Sequence, residues 1–239
     1  MKRNVIEAMK AHIVRMDAHY EVAFSRPVFS RIASFSQIIE PIYDAFSSEL
    51  SIPSDAISVE VGNSIATSGV TLTLFSGLSV FEAKLDGYKA HFLDLRSSNV
   101  IDQAKRHAKL FEGAVSGFLT DSVPGHSRLV TPSWLTVEGG IVAAEALARR
   151  LSWLPDSDDP FEIGATNTRS LVKFESMNSS ELWKIGIAVE KSALPEAHLF
   201  VELFGEYASG SHFDSFDDKA NHLASISRTV FDKLDITVE

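Results

Sequence analysis

The chain has 239 residues, of which 45% are hydrophobic, and a formal net charge of −10, so it can bury a substantial core. It contains no cysteine, which excludes disulfides, thiolate metal sites and a cysteine nucleophile. The acidic balance argues against binding to nucleic acid, and no apolar run reaches the ~20 residues of a membrane helix. The N-terminus lacks the apolar stretch of a signal peptide, so we expect a cytoplasmic protein that neither binds nor crosses a membrane.

The first predicted element is a strand over residues 14–24. Apolar side chains alternate strictly with polar ones there, as in a strand with one buried face. Arg26-Pro27 ends the pattern, because proline cannot donate to the sheet. Residues 35–50 then show helical spacing, and Pro41 inside them predicts either a kink or the true start of that helix.

Four short strands follow, and then a long helix. The strands are predicted at residues 57–61, 70–74, 80–85 and 88–95, the last two joined by a tight turn at Asp86-Gly87. An amphipathic helix spans residues 97–119, with an N-cap from the Ser97-Ser98-Asn99 run. The Val123-Pro124-Gly125-His126 segment is the best candidate linker.

The second half shows a similar order of elements. A short or interrupted strand is predicted over residues 128–137, a helix over 141–151 and an acidic turn over 153–160. Four strands are predicted at residues 161–163, 171–174, 183–189 and 198–204, followed by an amphipathic helix over 214–234.

These elements predict an α+β fold of two tandem pseudo-repeats, residues 1–124 and 125–239. Each repeat reads strand, helix, about four antiparallel strands and helix, with its sheet covered by one long amphipathic helix. We expect the two repeats to form one compact body. Their charges differ, because 12 basic against 14 acidic residues give −2 for the first, and 10 against 18 give −8 for the second.

The first candidate catalytic cluster lies on the polar face of the first strand. Asp17 and His19 share this face with Arg15 and Glu21, and His91 joins them if its strand lies alongside. A histidine beside a carboxylate can carry out general acid–base chemistry, which would fit a hydrolase or lyase. The polar face of any amphipathic strand has a similar composition, so we predict no catalytic residue outright.

A second cluster lies at the start of the last helix. His212, Asp214, Asp218 and His222 include oxygen and imidazole groups at helical spacing, which a divalent metal could use. The ordinary interpretation is that the acidic residues stabilise the helix N-terminus and that Asp218 pairs with His222 on the surface. We therefore predict no metal and no cofactor.

The sequence carries no phosphate-binding glycine loop and no nucleophile elbow, so the leading hypothesis is a non-enzymatic protein–protein interaction subunit or adaptor of a soluble cytosolic complex. The hypothesis includes a dimer, so the expected partner is another protein or a second copy of the chain. The expected interface residues are two tryptophans and the acidic turn, because tryptophan is enriched at binding hot spots: Trp134, Trp153, Asp156, Asp158 and Asp159.

The alternative hypothesis is a binding protein for a small apolar molecule. A curved sheet and a helix can enclose a cavity between them. Five phenylalanines are placed to line such a cavity, although rings without polar atoms more often fill a core: Phe75, Phe81, Phe92, Phe111 and Phe118.

Overall fold

The protein is a mixed α+β chain built on one large sheet. The computed structural model describes residues 9–60, 64, 68–144, 170–175, 183–209, 212–233 and 236–238. The strands of its first half are β1 (Met9–Met16), β2 (Ala18–Phe24), β3 (Ile57–Glu60), β4 (Gly69–Leu74), β5 (Ser79–Lys84) and β6 (Gly87–Phe92). Those of the second half are β7 (Pro124–Val137), β8 (Ser170–Glu175), β9 (Trp183–Lys191), β10 (Leu199–Ala208) and β11 (Ile236–Val238). The helices whose full bounds lie within the described residues are α1 (Ile39–Ser47), α2 (Ser98–Phe118) and α3 (Phe216–Lys233), and residues 140–144 are also helical.

The strands form one sheet in the order β3-β4-β5-β6-β2-β7-β10-β9-β8. Neighbours along this path are antiparallel, and β1 extends it by pairing antiparallel with β7 and parallel with β11. β2 and β7 therefore lie side by side at the centre, with β6 to β3 following outward from β2 and β10, β9 and β8 following outward from β7. This pairing brings the two halves of the sequence into one continuous sheet.

The hairpin predicted at Asp86-Gly87 joins β5 to β6. Gly87 allows an unusually close approach of the neighbouring strand, because a Cβ at this position would lie 2.2 Å from the Val22 carbonyl oxygen. Only glycine fits there without movement of the backbone. The turn thus also fixes β6 against β2.

The first predicted strand is divided in two. β1 ends at Met16 and β2 begins at Ala18, with Asp17 between them. The Asp17 side chain is buried, and the backbone N–H of the same residue donates to the Pro132 carbonyl oxygen at 2.9 Å. Asp17 and Ala18 are buried in succession, which interrupts the alternation, so the prediction of an unbroken strand over residues 14–24 was wrong.

The helix predicted over residues 35–50 is also divided. A 3-10 helix spans Phe29–Ile38 and leads directly into α1 (Ile39–Ser47). Pro41 occupies the first turn of α1, where a missing N–H costs no helical hydrogen bond. The proline therefore marks the beginning of the α-helix rather than a kink within it.

The two long helices lie on the same face of the sheet. α2 contacts β5 and β6, α3 contacts β7 and β10, and the helices also contact each other. The Ser97 hydroxyl accepts from the Val100 N–H, as predicted for an N-cap. Ser227, on the buried side of α3, satisfies its hydroxyl by donating to the Leu223 carbonyl oxygen at 2.7 Å.

The hydrophobic core extends across the predicted boundary at residue 124. Its larger cluster joins first-half residues such as Phe81, Phe92 and Phe111 to Ile185 and Phe216 from the second half. A smaller cluster packs around Leu135, Ile187, Leu199 and Val201. Burial thus links the two halves, while their division into repeats stays a prediction.

The sheet has a second face, opposite α2 and α3, which we call the outer face. It carries the side chains that alternate with the core residues, including His19 and Glu21 of β2, Arg128 and Trp134 of β7, and Phe204 of β10. These five residues are half-buried or exposed. The residues that alternate with the buried ones along each strand are therefore accessible to solvent or to a partner on the outer face.

Candidate functional site

Trp134 lies on the outer face and is only partly buried. Its ring contacts that of Phe200, its cross-strand neighbour on β10, with centroids 5.1 Å apart. The Arg15 guanidinium covers the indole at 4.9 Å, a cation–π distance. The residue predicted to anchor an interface is therefore held in a fixed orientation from two sides.

Phe204 extends this group along β10. Its ring lies over Gly186 of β9, where an added Cβ would meet the ring at 2.1 Å. The Arg128 guanidinium approaches the same ring at 5.9 Å. We call Trp134, Phe200 and Phe204 the aromatic patch; all three are partly exposed.

A row of charged residues crosses the outer face next to the aromatic patch. We call this row the charge ladder, and it alternates in sign over six neighbouring strands from β5 to β9: Glu82, Lys89, Glu21, Arg128, Glu206 and Lys184. The Lys89 ammonium lies 3.0 Å from the Glu21 carboxylate, and Arg128 lies 4.0 Å from Glu206. These four side chains are 40–53% exposed, so the ladder faces solvent.

His19 and His91 are brought together, as the sequence allowed. They are cross-strand neighbours on β2 and β6, and their Nδ1 atoms lie 2.7 Å apart. One ring must therefore donate and the other accept, which requires at least one neutral imidazole. Burial, the charge of His19 and that of Lys89 lower the pKa of His91.

Asp17 does not join this histidine pair. Its carboxylate accepts hydrogen bonds from Arg15 Nε at 3.1 Å, Arg15 Nη2 at 2.7 Å and the Asp94 N–H at 2.9 Å. The hydrogen bond to Asp17 also raises the pKa of Arg15. The carboxylate thus fixes the junction between β1 and β2. The prediction that Asp17 lies on the polar face of the strand together with His19 was wrong, because the residue is buried.

The candidate metal residues form a helix cap and an aromatic box. Asp218 accepts from the Ser215 hydroxyl at 2.7 Å and from its N–H, and the Ser215 hydroxyl accepts from the Asp218 N–H in return. This is a capping box, and the hydrogen bond from Ser215 lowers the pKa of Asp218. His212 is exposed, and the Asp214 carbonyl oxygen accepts from Lys219.

His222 is enclosed by three aromatic rings. It stacks on Phe213 at 4.1 Å and meets Trp183 edge-on at 4.8 Å. Its Nδ1 lies 3.4 Å from the Tyr207 hydroxyl. Within the described ranges, no group of three or more histidine or acidic side chains could hold a metal ion.

A buried ionic network was not predicted. Lys219 of α3 is 3% exposed, and its ammonium donates to the Asp214 carbonyl oxygen at 3.0 Å and the Tyr20 hydroxyl at 3.2 Å. Glu112 of α2 accepts from the Tyr88 hydroxyl at 3.2 Å and from the Phe216 N–H at 3.4 Å. Burial lowers the pKa of Lys219 and raises that of Glu112, while the attraction between them opposes both shifts.

A cavity of about 320 Å³ lies beside this network. Its walls include Tyr20, Tyr88, Tyr207, His126 and Lys219. Hydroxyl and ammonium groups make up much of the lining, and those of Tyr20, Tyr207 and Lys219 already have partners within the protein. The cavity is therefore more polar than the apolar one expected from the sequence.

The phenylalanines proposed to line an apolar cavity lie elsewhere. Phe81, Phe92 and Phe111 are at most 1% exposed and pack in the core, where Phe81 contacts the other two rings. Phe75 is 44% exposed and stacks on His107. Phe118 lies under the Arg31 guanidinium at 5.1 Å. The assignment of these five rings to one cavity was wrong.

Trp153, Asp156, Asp158 and Asp159 lie outside the described residues, so their role as interface residues stays a prediction. Among the described helices, none has the length and apolar character needed to cross a membrane. No protein-family model matches the sequence. A search of curated proteins likewise returns no match.

Proposed function

We propose that this protein is a non-enzymatic interaction subunit or adaptor of a soluble cytosolic complex, and that it binds another protein through the outer face of its sheet. The observation that carries this proposal is the aromatic patch. Trp134, Phe200 and Phe204 form a partly exposed apolar surface on neighbouring, hydrogen-bonded strands. Aromatic rings on a rigid scaffold give a large contact area for little loss of side-chain entropy.

The surroundings of the patch indicate the class of partner. Arg15 and Arg128 cover two of its rings, and Glu206 lies next to Arg128. A surface with both signs of charge around an apolar centre suits a protein that offers apolar side chains and charges of both signs. It suits a nucleic acid poorly, because phosphate binding needs a surplus of positive charge.

The pseudo-repeat is part of the same proposal. The strand order supports it, because β2 and β7 lie together at the centre of the sheet and each is followed outward by strands of its own half. α2 then contacts the first-half strands and α3 those of the second half. On this interpretation a duplicated unit has joined its sheets edge to edge, which removes two exposed edges.

The test removes the aromatic patch without disturbing the core. Trp134→Ala combined with Phe200→Ala is compared with the wild type and with Phe29→Ala. Phe29 is an exposed ring on the helical side, the face of the sheet that carries α2 and α3. Proteins that bind the immobilised wild type but not the immobilised patch variant are purified. Their dissociation constants for each of the three chains are then measured directly. We expect roughly a hundredfold weaker binding for the patch variant and no change for Phe29→Ala. A partner that binds all three chains equally would contradict the proposal.

A second candidate function is the binding of a small molecule in the cavity beside Lys219. A volume of about 320 Å³ supports it, since ligand pockets begin at about this size. The tyrosine hydroxyls favour a polar ligand over an apolar one. Native mass spectrometry of the purified protein tests this candidate, and only a bound mass lost in Tyr207→Phe or Ser209→Phe would support it.

The hydrolase or lyase alternative has less support from the geometry. His19 and His91 are paired with each other, and the carboxylate of Asp17 is held by Arg15 and the Asp94 backbone. An acid–base pair needs the imidazole and the carboxylate at one reacting group.

A further inference from the structure

The charge ladder has a symmetry that bears on the identity of the partner. Six of its residues lie symmetrically about a midpoint between Glu21 of β2 and Arg128 of β7, and reversal about this midpoint exchanges each acidic residue with a basic one. The row continues beyond Lys184 to the register position of Glu175 on β8, which the same reversal places over the uncharged Thr71 of β4. A second copy of the ladder, turned by a two-fold axis through this midpoint, therefore presents opposite charges at each of the six positions.

The pairs follow from the strand order. An axis parallel to the strands and lying between two stacked sheets places β2 over β7, β6 over β10 and β5 over β9 of the other copy. Glu21 then faces Arg128, Lys89 faces Glu206 and Glu82 faces Lys184 of the second copy. Each pair occurs twice, because the interface is two-fold symmetric.

The next row on the outer face fits the same arrangement. It runs through His91, His19, Val130 and Phe204, again centred between β2 and β7. The axis places His19 over Val130 and His91 over Phe204 of the second copy. This row would bring no residues of like formal charge together, and it adds apolar and aromatic contact next to the charge ladder.

The six strands give a lower bound for the area of the face. They are about 24 Å wide at a spacing of about 4.8 Å, and the six residues of β5 and of β6 limit their shared length to about 20 Å. This gives about 480 Å² for each copy, and the longer β7 and β10 extend the face at Trp134 and Phe200 towards the ~800 Å² per partner of a standard protein interface.

We propose that the partner at the outer face is a second copy of this chain, in a two-fold dimer aligned by the charge ladder. This inference rests on the proposed function, because it names the occupant of the same face. The alternating charges select the two-fold register, since a shift by one strand would place like charges opposite each other at every overlapping position. The aromatic patch and the row through His19 and Val130 supply the apolar burial.

The test uses charge reversal and mixing. Glu21→Arg places two arginines opposite each other across the axis, and Arg128→Glu places two glutamates there, so each variant alone is expected to associate roughly a hundredfold more weakly. When the two variants are mixed, the introduced arginine of one chain meets the introduced glutamate of the other. The native Arg128 of the first chain then meets the native Glu21 of the second, so both contacts are again of opposite sign. Native mass spectrometry and light scattering should therefore show a one-to-one heterodimer.

The controls are charge reversals on the helical side. Glu40 of α1 and Lys109 of α2 are exposed there, and Glu40→Arg and Lys109→Glu should leave the dimer intact. Thermal unfolding of each single variant confirms that it is folded, and a chain carrying both Glu21→Arg and Arg128→Glu should dimerise alone.

Three outcomes would overturn the inference: a monomeric wild type at every concentration, dimers that survive either single reversal, or variants that fail to pair when mixed. The proposed function is judged separately. If the wild type is monomeric and the Trp134→Ala/Phe200→Ala variant still loses a different protein, the outer face binds that protein, and only the dimer is excluded.

Discussion

The Lys219 ammonium on α3 lies 3.2 Å from the Tyr20 hydroxyl on β2, which joins two residues 199 positions apart in the sequence. The contact connects the last helix to the central strand of the first half. Tyr20 also packs edge-on against Phe216, with ring centroids 5.2 Å apart, so a polar and an aromatic contact act at the same place. The two halves are therefore fixed to each other by a buried, hydrogen-bonded ammonium group as well as by the continuous sheet.

Replacing Lys219 with methionine should destabilise the protein strongly. The change removes the donor to the Asp214 carbonyl oxygen and the positive charge near Glu112. We expect the free energy of unfolding to fall by about 3 kcal/mol, as for other broken buried charge networks. Urea unfolding measures this loss. Tyr20→Phe serves as the control and should cost only about 1 kcal/mol, since the ring stays in place.

The cost of Lys219→Met should become smaller in a Glu112→Gln background. The positive charge then no longer has a carboxylate to balance, so the two effects are not additive. Equal losses in both backgrounds would show that the two charges are energetically independent.

Asp17→Asn tests whether Asp17 is a structural residue. The buried carboxylate accepts two bonds from Arg15 and one from the Asp94 N–H, and an amide cannot accept all of them. We expect a loss of about 2 kcal/mol in urea unfolding, the range of hydrogen bonds to charged groups. Asp44→Asn, the same change at an exposed position of α1, should alter stability by less than about 0.5 kcal/mol. Equal stability of wild type and Asp17→Asn would refute this role.

The histidine pair should make stability depend on pH. The folded protein lowers the pKa of His91 below 6.5, mainly through burial, so the unfolded chain binds a proton at a higher pH than the folded one. Stability is therefore unaffected well above pH 6.5 and falls as the pH drops through 6.5 towards the lower folded value.

Denaturation midpoints measured at a series of pH values check this slope. His91→Asn should reduce it without abolishing it, because burial also lowers the pKa of His107. His126→Asn, at an exposed position, is the matched control. A slope that is the same in wild type and His91→Asn would contradict the assignment.

Gly186→Ala should displace Phe204 from the aromatic patch. The new methyl group would meet the ring at 2.1 Å, so the ring must rotate away from β9. We expect a loss of about 1–2 kcal/mol, typical of overpacking, together with weaker association through the outer face. Gly69→Ala is the control, since its nearest contacts lie at an ordinary 3.5 Å. An unchanged stability and association would show that Phe204 does not depend on this glycine.

Local patterns predicted the long helices and the hairpin between β5 and β6 well. The Ser97 cap, the helical spacing after it and the Asp86-Gly87 turn are each set by neighbouring residues, so they are visible in the sequence. The alternation over residues 183–189 also correctly placed Trp183 and Ile185 on one face. By contrast, the break at Asp17 depends on Asp94 and Pro132, which lie far away in the sequence.

The buried network and the charge ladder depend on pairings that local patterns do not contain. A single lysine at position 219 looks like any surface residue of an amphipathic helix, although it lies on the apolar side, three residues after Phe216. Glu21 and Arg128 become neighbours only because β2 pairs with β7 across more than a hundred residues. The polar face of β2 was visible in the sequence, but the residues that lie beside it on β6 and β7 could be identified only from the strand order.

Hydroxyl-radical labelling shows whether association buries the outer face. The protein is labelled at concentrations where it is a monomer and at concentrations where it is a dimer, and the extent of labelling is measured at individual residues. We expect Trp134, Phe200 and Phe204 to become protected on association, while Phe29 and Tyr43, exposed on the helical side, do not change. Unchanged labelling of the aromatic patch, with protection at Phe29 and Tyr43 instead, would contradict burial of the outer face.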